Sequence, residues 1–269
     1  MRLFDRTAAV IVGTVRVDSL RMTFKIHKDN AEKPNTAEVV ISNLSPSTRS
    51  LIEKKGNPLI VEAGYGGDNS TLFSGRVRSC EHVRKGADWE TTIRSGDGEE
   101  ELKVATVSNS WKPGVAKTTV LNALVRSLNL DPGNSAQVFA GIPGQFSNGY
   151  VLDAAKTRQK LTDILWLAGY EWSVQDGRVQ VVRRGSSNGE SVISLSSETG
   201  LLGSPTHVTG DAKKVNHVKF EALLQPFKPL RLVELNSDGI RGLVKVLTVD
   251  QEGDTHGGKW TSMVEAVPV

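Results

Sequence analysis

The residues best suited to chemistry lie near the C-terminal end, where the chain reads DQEGDTH. Four ionisable residues occupy alternate positions there: Asp250, Glu252, Asp254 and His256. On a strand, alternate side chains project from one face, so this face could bind a metal ion or move protons. Gly253 and the Gly257–Gly258 pair instead indicate a hairpin tip that would separate the four side chains. A solvated or interface loop is the favoured interpretation, and the four residues stay weak candidates for a metal site.

Other catalytic and ligand-binding motifs are missing from the sequence. It contains no nucleophile elbow, Walker loop or His-Glu-x-x-His motif, and its five histidines do not have metal-ligand spacing. The glycine-bearing segment 64–70 lies between predicted strands, so it indicates a turn and not a phosphate cradle. We therefore expect no catalytic residue and no cofactor, and predict that the protein is not an enzyme.

Composition sets wide limits on the fold and on the partners. With 269 residues, the chain can form one large domain or two to three small ones. A formal charge of +3 does not require nucleic acid or a membrane surface, and the apolar run 8–13 is too short to span a bilayer. The single cysteine, Cys80, excludes an intramolecular disulfide and fits assembly in a reducing cytoplasm. Because Cys80 lies in a strand-like stretch, we expect it to have a structural role.

The element pattern predicts a mainly β chain with an inserted α+β part. Alternating apolar residues indicate strands through most of the first hundred positions, with a short helix near 45–56 and an acidic turn at 96–103. Helical stripes follow within 116–130 and 157–172, joined by a connector at 131–150, and Asp176-Gly177 predicts a hairpin turn. The predicted division is a first β-barrel domain (1–104), a helix–hairpin domain (105–187) and a second, similar β-barrel domain (188–269).

The two β regions repeat one order of features. Segments 73–92 and 240–262 both contain Gly-x-Val, a polar turn and a Trp, which aligns Gly75 with Gly242 and Trp89 with Trp260. Upstream, Pro58-Leu59 resembles Pro229-Leu230, and both regions carry Leu-x-Pro. The length differences fall in connections, as expected for two copies of one fold. Chance remains an alternative, since any β-barrel places Gly, Pro and Trp at turns and closures.

A duplicated barrel predicts a ring with more positions than subunits. If three chains close by rotation, each contributing two similar barrels, the ring has six near-equivalent positions. Such a ring could bind a six-fold partner on one face and a three-fold partner on the other. The duplication therefore predicts a symmetry adaptor.

The sequence also resembles baseplate hub proteins of tailed, contractile phages and of related injection machines. The N-terminal pattern is carried by Asn43-Leu44-Ser45, Ala63-Gly64-Tyr65 and Phe73-Ser74-Gly75-Arg76-Val77. The C-terminal pattern is carried by Gly200-Leu201-Leu202-Gly203-x-Pro205, Gly253-Asp254, Gly257-Gly258 and Trp260. The resemblance covers both β regions, with the helical insert in the expected place. The structural motif residues are thus Asn43, Leu44, Gly64, Tyr65, Gly75, Trp89, Gly203, Pro205, Gly242, Asp254 and Trp260.

The resemblance implies a role and a set of partners. The role is a homotrimeric, pseudo-six-fold hub in the virion tail baseplate, assembled in the host bacterial cytoplasm. It would join the tail tube protein to the central spike protein and line the channel through which genomic DNA leaves, without specific DNA recognition or membrane insertion. Tape measure and baseplate wedge proteins are further candidate partners.

Two alternatives of other classes remain open. A cell-wall or glycan-processing tail enzyme would need paired carboxylates in a cleft, for which Asp250, Glu252 and Asp254 are the available cluster. A monomeric glycan-binding module would need exposed aromatic residues in a groove. The five tryptophans lie mostly in predicted strands or helices and are therefore expected in the core. They are Trp89, Trp111, Trp166, Trp172 and Trp260.

Overall fold

The computed structural model describes residues 5–30, 34–208 and 217–269. Strands take 54% of the chain and helices 16%, which confirms the mainly β class. The chain forms two compact units. Of the described residues, 5–30, 35–97, 189–208 and 217–269 belong to the first unit, and 34 and 98–188 to the second.

The described residues of the first unit form thirteen strands and one short helix. They are β1 (Arg6–Val12), β2 (Val15–Val17), β3 (Met22–Asp29), β4 (Thr36–Ser42), α1 (Pro46–Ile52), β5 (Pro58–Tyr65), β6 (Asp68–Lys85), β7 (Asp88–Gly96), and, after the second unit, β14 (Ile193–Ser196), β15 (Leu201–Val208), β16 (His217–Leu223), β17 (Leu232–Asn236), β18 (Arg241–Asp254) and β19 (Trp260–Pro268). Alternation of buried and partly exposed residues along β4 and β16 is the period-two pattern that the sequence predicts. Ser45 caps α1, because its side chain accepts a hydrogen bond from Thr48 N at 3.1 Å.

These strands form one hydrogen-bonded sheet with a repeated order. Five strands, β3-β4-β7-β6-β5, pair antiparallel in that sequence, and we name them the first repeat. The strands β15-β16-β19-β18-β17 pair antiparallel in the same order and form the second repeat. An antiparallel joint between β18 and β3 connects the two repeats. Two separate barrels and a three-domain division therefore stay predictions, since the sheet runs without a break through both β regions.

The apolar cores of the first unit follow the repeats. One core comprises residues of β1–β7 and also includes Leu224 and Trp260 from the second repeat. A second core comprises residues of β14–β19, among them Phe220, Val246 and Val264. Trp260 thus belongs to the core of the repeat that neighbours its own, and this places it at the joint.

The second unit surrounds its own apolar core with helices and short two-stranded sheets. Its elements are α2 (Glu99–Val104), β8 (Thr106–Trp111), β9 (Val115–Ala116), α3 (Lys117–Ser127), α4 (Ser135–Ala140), β10 (Gln145–Phe146), β11 (Tyr150–Lys156), α5 (Thr157–Leu167), β12 (Tyr170–Gln175) and β13 (Arg178–Arg183). The predicted stripes on α3 and α5 are buried, and Asp176-Gly177 forms the predicted turn between β12 and β13. Both turn residues have positive φ, 56° and 79°, as a two-residue hairpin turn of this kind requires.

Two predicted irregular segments are in fact partly helical. The acidic segment at 96–103 contains α2, because Glu99, Glu100 and Glu101 lie in a first helical turn, where carboxylates favour the helix dipole. Leu102 then packs into the core of the second unit. The predicted connector at 131–150 contains α4, whose Phe139 is fully buried. Among the described residues, none of the helices is long and apolar enough to cross a membrane.

Candidate interaction site: the joint between the strand repeats

The joint brings an aromatic group of the first repeat onto a glycine of the second. In the antiparallel register, Gly253 of β18 lies opposite Phe24 of β3. Trp260, which pairs with Gly253 across the β18–β19 hairpin, meets Phe24 edge-to-face with 5.5 Å between ring centroids. Tyr65 contacts the same indole at 6.5 Å. Because edge-to-face geometry stabilises aromatic pairs beyond their burial, this cluster holds the two repeats together and leaves Trp260 only 1% exposed.

The long hairpins of the two repeats, β6–β7 and β18–β19, have the same pairing register. In each hairpin, the first strand bulges once against the second, at Arg78 in β6 and at Leu247 in β18. At the same distance along the strand beyond each bulge, Arg84 pairs with Trp89 in the first repeat and Gly253 pairs with Trp260 in the second. β-Bulges fix register and twist, so a shared bulge position is strong evidence of a duplicated arrangement.

Backbone hydrogen bonds outside the ladders repeat as well. Asn43 N donates to Trp89 O at 2.7 Å, and Leu224 N donates to Trp260 O at 3.0 Å. Gly56 N donates to Val77 O at 2.9 Å, and its counterpart is the 2.8 Å bond from Leu230 N to Val246 O. Gly56 and Leu230 even share a positive φ, 86° and 66°. A leucine there departs from the usual preference for glycine, so the backbone arrangement overrides residue type.

This register corrects part of the alignment drawn from the sequence. Trp89 and Trp260 are equivalent, as expected. Gly75 and Gly242 are not, since Gly242 lies two residues further from the bulge than Gly75 does. Likewise Pro58 of β5 corresponds to Leu232 of β17, and Pro229 has moved into the preceding turn. The strands are duplicated although the Gly and Pro residues within them are placed differently.

Asn43 and Leu44 secure the β6–β7 hairpin. Asn43 has a φ of 58°, which asparagine tolerates, and its Oδ1 accepts a hydrogen bond from Trp89 N at 3.0 Å. Its Nδ2 donates to Asp88 Oδ1 at 3.0 Å, and Leu44 is buried in the first core. The Asn-Leu pair thus ties the end of β4 to the base of the hairpin.

The remaining motif residues are structural positions of three kinds. A Cβ at Gly64 would overlap the backbone of Asp68, and one at Gly75 would lie 2.6 Å from Gly96 O, so both strands need glycine for close approach. Burial raises the pKa of Tyr65 to about 12, with small opposing effects from Arg6 and from Leu224. Gly203 and Pro205 lie where the β15–β16 register shifts, and Gly242, with a φ of 131°, pairs with Leu235 near the start of β18.

The acidic cluster projects from one face, but each carboxylate has a cationic or polar partner. Asp250, Glu252 and Asp254 alternate with buried Gln251 and Gly253 along β18. Their partners are His27 at 2.7 Å, Lys259 at 3.0 Å and Arg21 at 3.0 Å, respectively. His256 lies beyond the strand, and its side chain bonds to Thr255 instead. Within the described part of the chain, no group of three or more His, Cys, Asp or Glu residues could hold a metal ion.

The neighbours of Asp254 hold the pKa of its carboxyl below the ordinary value. Burial raises the pKa of Asp254, but the hydrogen bond from His256 N and the Arg21 guanidinium outweigh it and hold the pKa below the usual 3.8. A carboxylate held ionised in this way suits a structural ion pair better than a general acid.

A groove of about 610 Å³ lies on the solvent-exposed face of the β18–β3 joint. Its lining alternates in charge and includes Lys25, Glu38, Arg94, Asp250, Glu252 and Lys259. Glu38 pairs with Arg94 at 2.8 Å, as Glu252 pairs with Lys259. A cleft whose carboxylates pair with lysine, arginine or histidine side chains resembles a salt-bridged surface more than a hydrolytic site.

Two tryptophans expected in the core are partly or largely exposed. Trp89 is 37% exposed, with the Arg49 guanidinium 4.1 Å from its ring centroid. Trp166 is 58% exposed and stacks with Arg184 at the same distance. For Trp166 the prediction fails because this residue lies outside the apolar stripe of α5. For Trp89 the reason is different: β3 covers the matching Trp260 through Phe24, whereas among the described residues no strand takes the equivalent place beside β6.

Cys80 lies half-buried on β6, next to groups that disfavour its thiolate. Burial, and then the charge of Glu53, raise the pKa of the Cys80 thiol to about 11. His82 contacts Glu53 at 3.6 Å and Cys80 Sγ at 3.9 Å. A thiol with this pKa is a poor nucleophile near neutral pH, in agreement with the structural role expected from the sequence.

Similarity to solved structures identifies the fold. No family profile and no curated protein sequence matches the chain. The 43 kDa tail protein of prophage MuSo2 from Shewanella oneidensis superposes with a TM-score of 0.70 at 8% identity, covering 98% of this chain and 97% of the other. The tail protein from Neisseria meningitidis MC58 reaches 0.64 at 12% identity, covering 98% and 96%. A type VI secretion system component from E. coli, itself similar to tail proteins of bacteriophage T4, also reaches 0.64 at 9% identity, covering 97% and 76%. The predicted resemblance to baseplate hub proteins is therefore confirmed at the level of the fold: the chain has the fold of phage tail proteins.

Proposed function

We propose that the protein is the structural hub of a phage tail baseplate. In this role three copies form a pseudo-six-fold ring that joins the six-fold tail tube to the three-fold central spike. The observation that carries the proposal is the duplicated strand order, with its shared bulge, tryptophan pairing and backbone hydrogen bonds. Two like repeats per chain turn three subunits into six near-equivalent positions. The fold shared with tail proteins and with a secretion system component supports the same assignment.

The proposal includes a set of partners and a location. Tube protein would bind the face that presents the six repeats, and spike protein the opposite loops, with tape measure and wedge proteins as further partners. Genomic DNA would pass through the central channel without base recognition. The protein would reside in the virion tail, of the contractile type, after assembly in the host cytoplasm.

The test of this function is the symmetry of the purified assembly. Native mass spectrometry should give a mass of three chains of 29.1 kDa each. Class averages from electron microscopy, viewed down the axis, should show six peripheral features of nearly equal density. A monomer that persists even with the tube and spike proteins of the same tail added would overturn the hub proposal.

The glycan-processing alternative depends on the acidic cluster. Since Glu252 and Asp254 are each engaged in an ion pair and Asp250 contacts His27, the structure gives this alternative weaker support than the hub. A Glu252→Gln variant provides its test in a cell-wall hydrolysis assay. Activity of the wild-type chain that this variant abolishes would favour the enzyme.

A further inference from the structure

The joint inside the chain shows what one strand edge of each repeat can bind. Residues Thr248–Asp254 of β18 pair with Asp29–Thr23 of β3. On this edge of β18, β17 pairs with the beginning of the strand and β3 with its end. The opposite edge of β18 pairs with β19. A long hairpin strand of this kind can therefore pair with a second strand on the same edge, beyond the point where its first partner strand ends.

The matching edge of the first repeat has no such partner. Ser79–Lys85 of β6 corresponds to Thr248–Asp254 by the shared bulge and tryptophan pairing, and it pairs with β7 on one edge. Its other edge continues past the end of β5, where Pro58 lies opposite Arg76. Within residues 5–30, 34–208 and 217–269, no strand pairs with Ser79–Lys85 along that second edge.

The second repeat leaves the complementary edge open. β15 corresponds to β3, since Thr206 pairs with Lys219 five positions before Leu224, as Lys25 pairs with Glu38 five positions before Asn43. β3 has partners on both edges, β4 and β18, whereas the described part of the chain pairs β15 with β16 alone. Within its described residues, each chain thus offers one unpaired edge of each type.

Burial differs between the completed joint and its open counterpart. Val249 and Gln251 of β18 are 0% and 1% exposed, but the corresponding Cys80 and His82 of β6 are only half-buried. Val83 and Leu202, on the two open edges, are 40% and 36% exposed. An open strand edge with apolar side chains is a template for another strand, and natural proteins normally cover it.

We propose that the open edge of β6 in one copy pairs antiparallel with β15 of a second copy, repeating the β18–β3 joint between chains. The in-chain register places Val83 opposite Thr206 and His82 opposite His207 of the neighbour. The two edges differ, so the contact is head-to-tail, and a ring of three chains closes when every joint, within and between chains, rotates by one sixth of a turn. This inference rests on the proposed trimer and specifies the strands that make it.

A cross-link at the proposed register tests the pairing. Directly opposed residues on paired strands lie close enough for a disulfide. In a Cys80→Ser background, a Val83→Cys/Thr206→Cys variant should convert, on mild oxidation, to dimer and trimer bands in non-reducing electrophoresis. Each single-cysteine variant, and the register-shifted control Val83→Cys/Val208→Cys, should form the trimer band at least tenfold less efficiently.

Hydrogen exchange on the unmodified chain provides a second test that needs no variant. In the trimer, amides of 79–85 and 201–208 should be protected like those of 248–254, which the in-chain joint already protects. A trimer by native mass with no Val83–Thr206 cross-link and no protection at 79–85 would overturn this inference and leave the hub proposal intact. A persistent monomer without cross-links, partners present, would overturn both.

Discussion

Phe24 lies across Gly253, so that a Cβ at Gly253 would overlap the ring. The ring is 1% exposed and packs against Trp260, which leaves it no space to move aside. We therefore expect Gly253→Ala to lower the free energy of unfolding by about 1–3 kcal/mol, the usual cost of overpacking a filled core. Urea denaturation would measure it.

Gly239 provides the matched control for this change. A Cβ there meets no atom within 4 Å, and its φ is not positive. Gly239→Ala should change the free energy of unfolding by less than about 0.5 kcal/mol. If the two variants were equally stable, the contact between Phe24 and Gly253 would have no role in the joint.

Asn43 supplies two separable contributions at the base of the β6–β7 hairpin. Asn43→Ala removes the hydrogen bonds to Trp89 N and Asp88 and also places alanine at a φ of 58°, so we expect a loss of about 2–3 kcal/mol. Asn43→Gly removes the bonds but tolerates the backbone, and should cost about 1 kcal/mol less. Thermal unfolding of both variants measures the difference. Equal melting temperatures would mean that the backbone conformation contributes nothing.

The sequence predicted the periodic parts of the fold because periodicity reports burial. The stripes of α3 and α5, the alternation in β4 and β16, and the Ser45 cap all follow from local rules that tertiary structure here reinforces. The short helix α2 was missed because the glycine at its N-cap and a run of three glutamates are as typical of a solvated turn.

The duplication was detectable from sequence, but its register was not. Gly and Pro mark turns and close approaches, and these can shift by one to three residues while the hydrogen-bonded ladder stays the same. Leu230 has the positive φ of its counterpart Gly56, and Val244 occupies the register position of Gly75. An alignment that matches glycine to glycine therefore gives the wrong register. Trp89 and Trp260 align correctly because both close the same hairpin. The unequal burial of the two indoles could not be predicted, since it depends on which strand covers them.

The pKa of Asp254 implies an acid-sensitive contribution to stability. Its pKa is lower in the folded chain than the usual 3.8, so the ionised carboxylate stabilises the fold above pH of about 4. That contribution is lost as the pH falls through the folded-state pKa, because the protonated acid no longer pairs with Arg21. Asp254→Asn should therefore be less stable than wild type at pH 6, and the difference should narrow at pH 3.

Urea denaturation at the two pH values tests this, with Asp238→Asn as a control on an exposed carboxylate that is not part of the joint. A difference between wild type and Asp254→Asn that stays constant with pH would contradict the assignment of the ion pair.

The Cys80 thiol should react slowly and with a displaced pH profile. Because its pKa is about 11 in the folded chain, the rate of alkylation by iodoacetamide should keep rising about tenfold per pH unit to pH 10. In urea the rate should level near pH 9, the ordinary thiol pKa. Folded stability from the buried neutral thiol is present below pH 9 and declines as the pH rises towards 11. A native profile that levels near pH 9 would show that neither burial nor Glu53 acts on this thiol.

Trp89 and Trp260 occupy equivalent positions, but the same substitution should affect different properties at the two sites. Trp260 is buried between Phe24 and Tyr65, so Trp260→Phe leaves a cavity and should lower the free energy of unfolding by about 2–4 kcal/mol. Trp89 is 37% exposed and contacts Arg49, so Trp89→Phe should lower the free energy of unfolding of the isolated chain by less than about 1 kcal/mol.

If a neighbouring β15 covers Trp89 in the trimer as β3 covers Trp260, Trp89→Phe should instead raise the trimer dissociation constant at least tenfold. Dilution followed by native mass spectrometry measures that constant, and urea unfolding measures the stability. Equal losses of chain stability in the two variants, with trimer affinity unchanged, would show that Trp89 is an ordinary core residue and has no role in assembly.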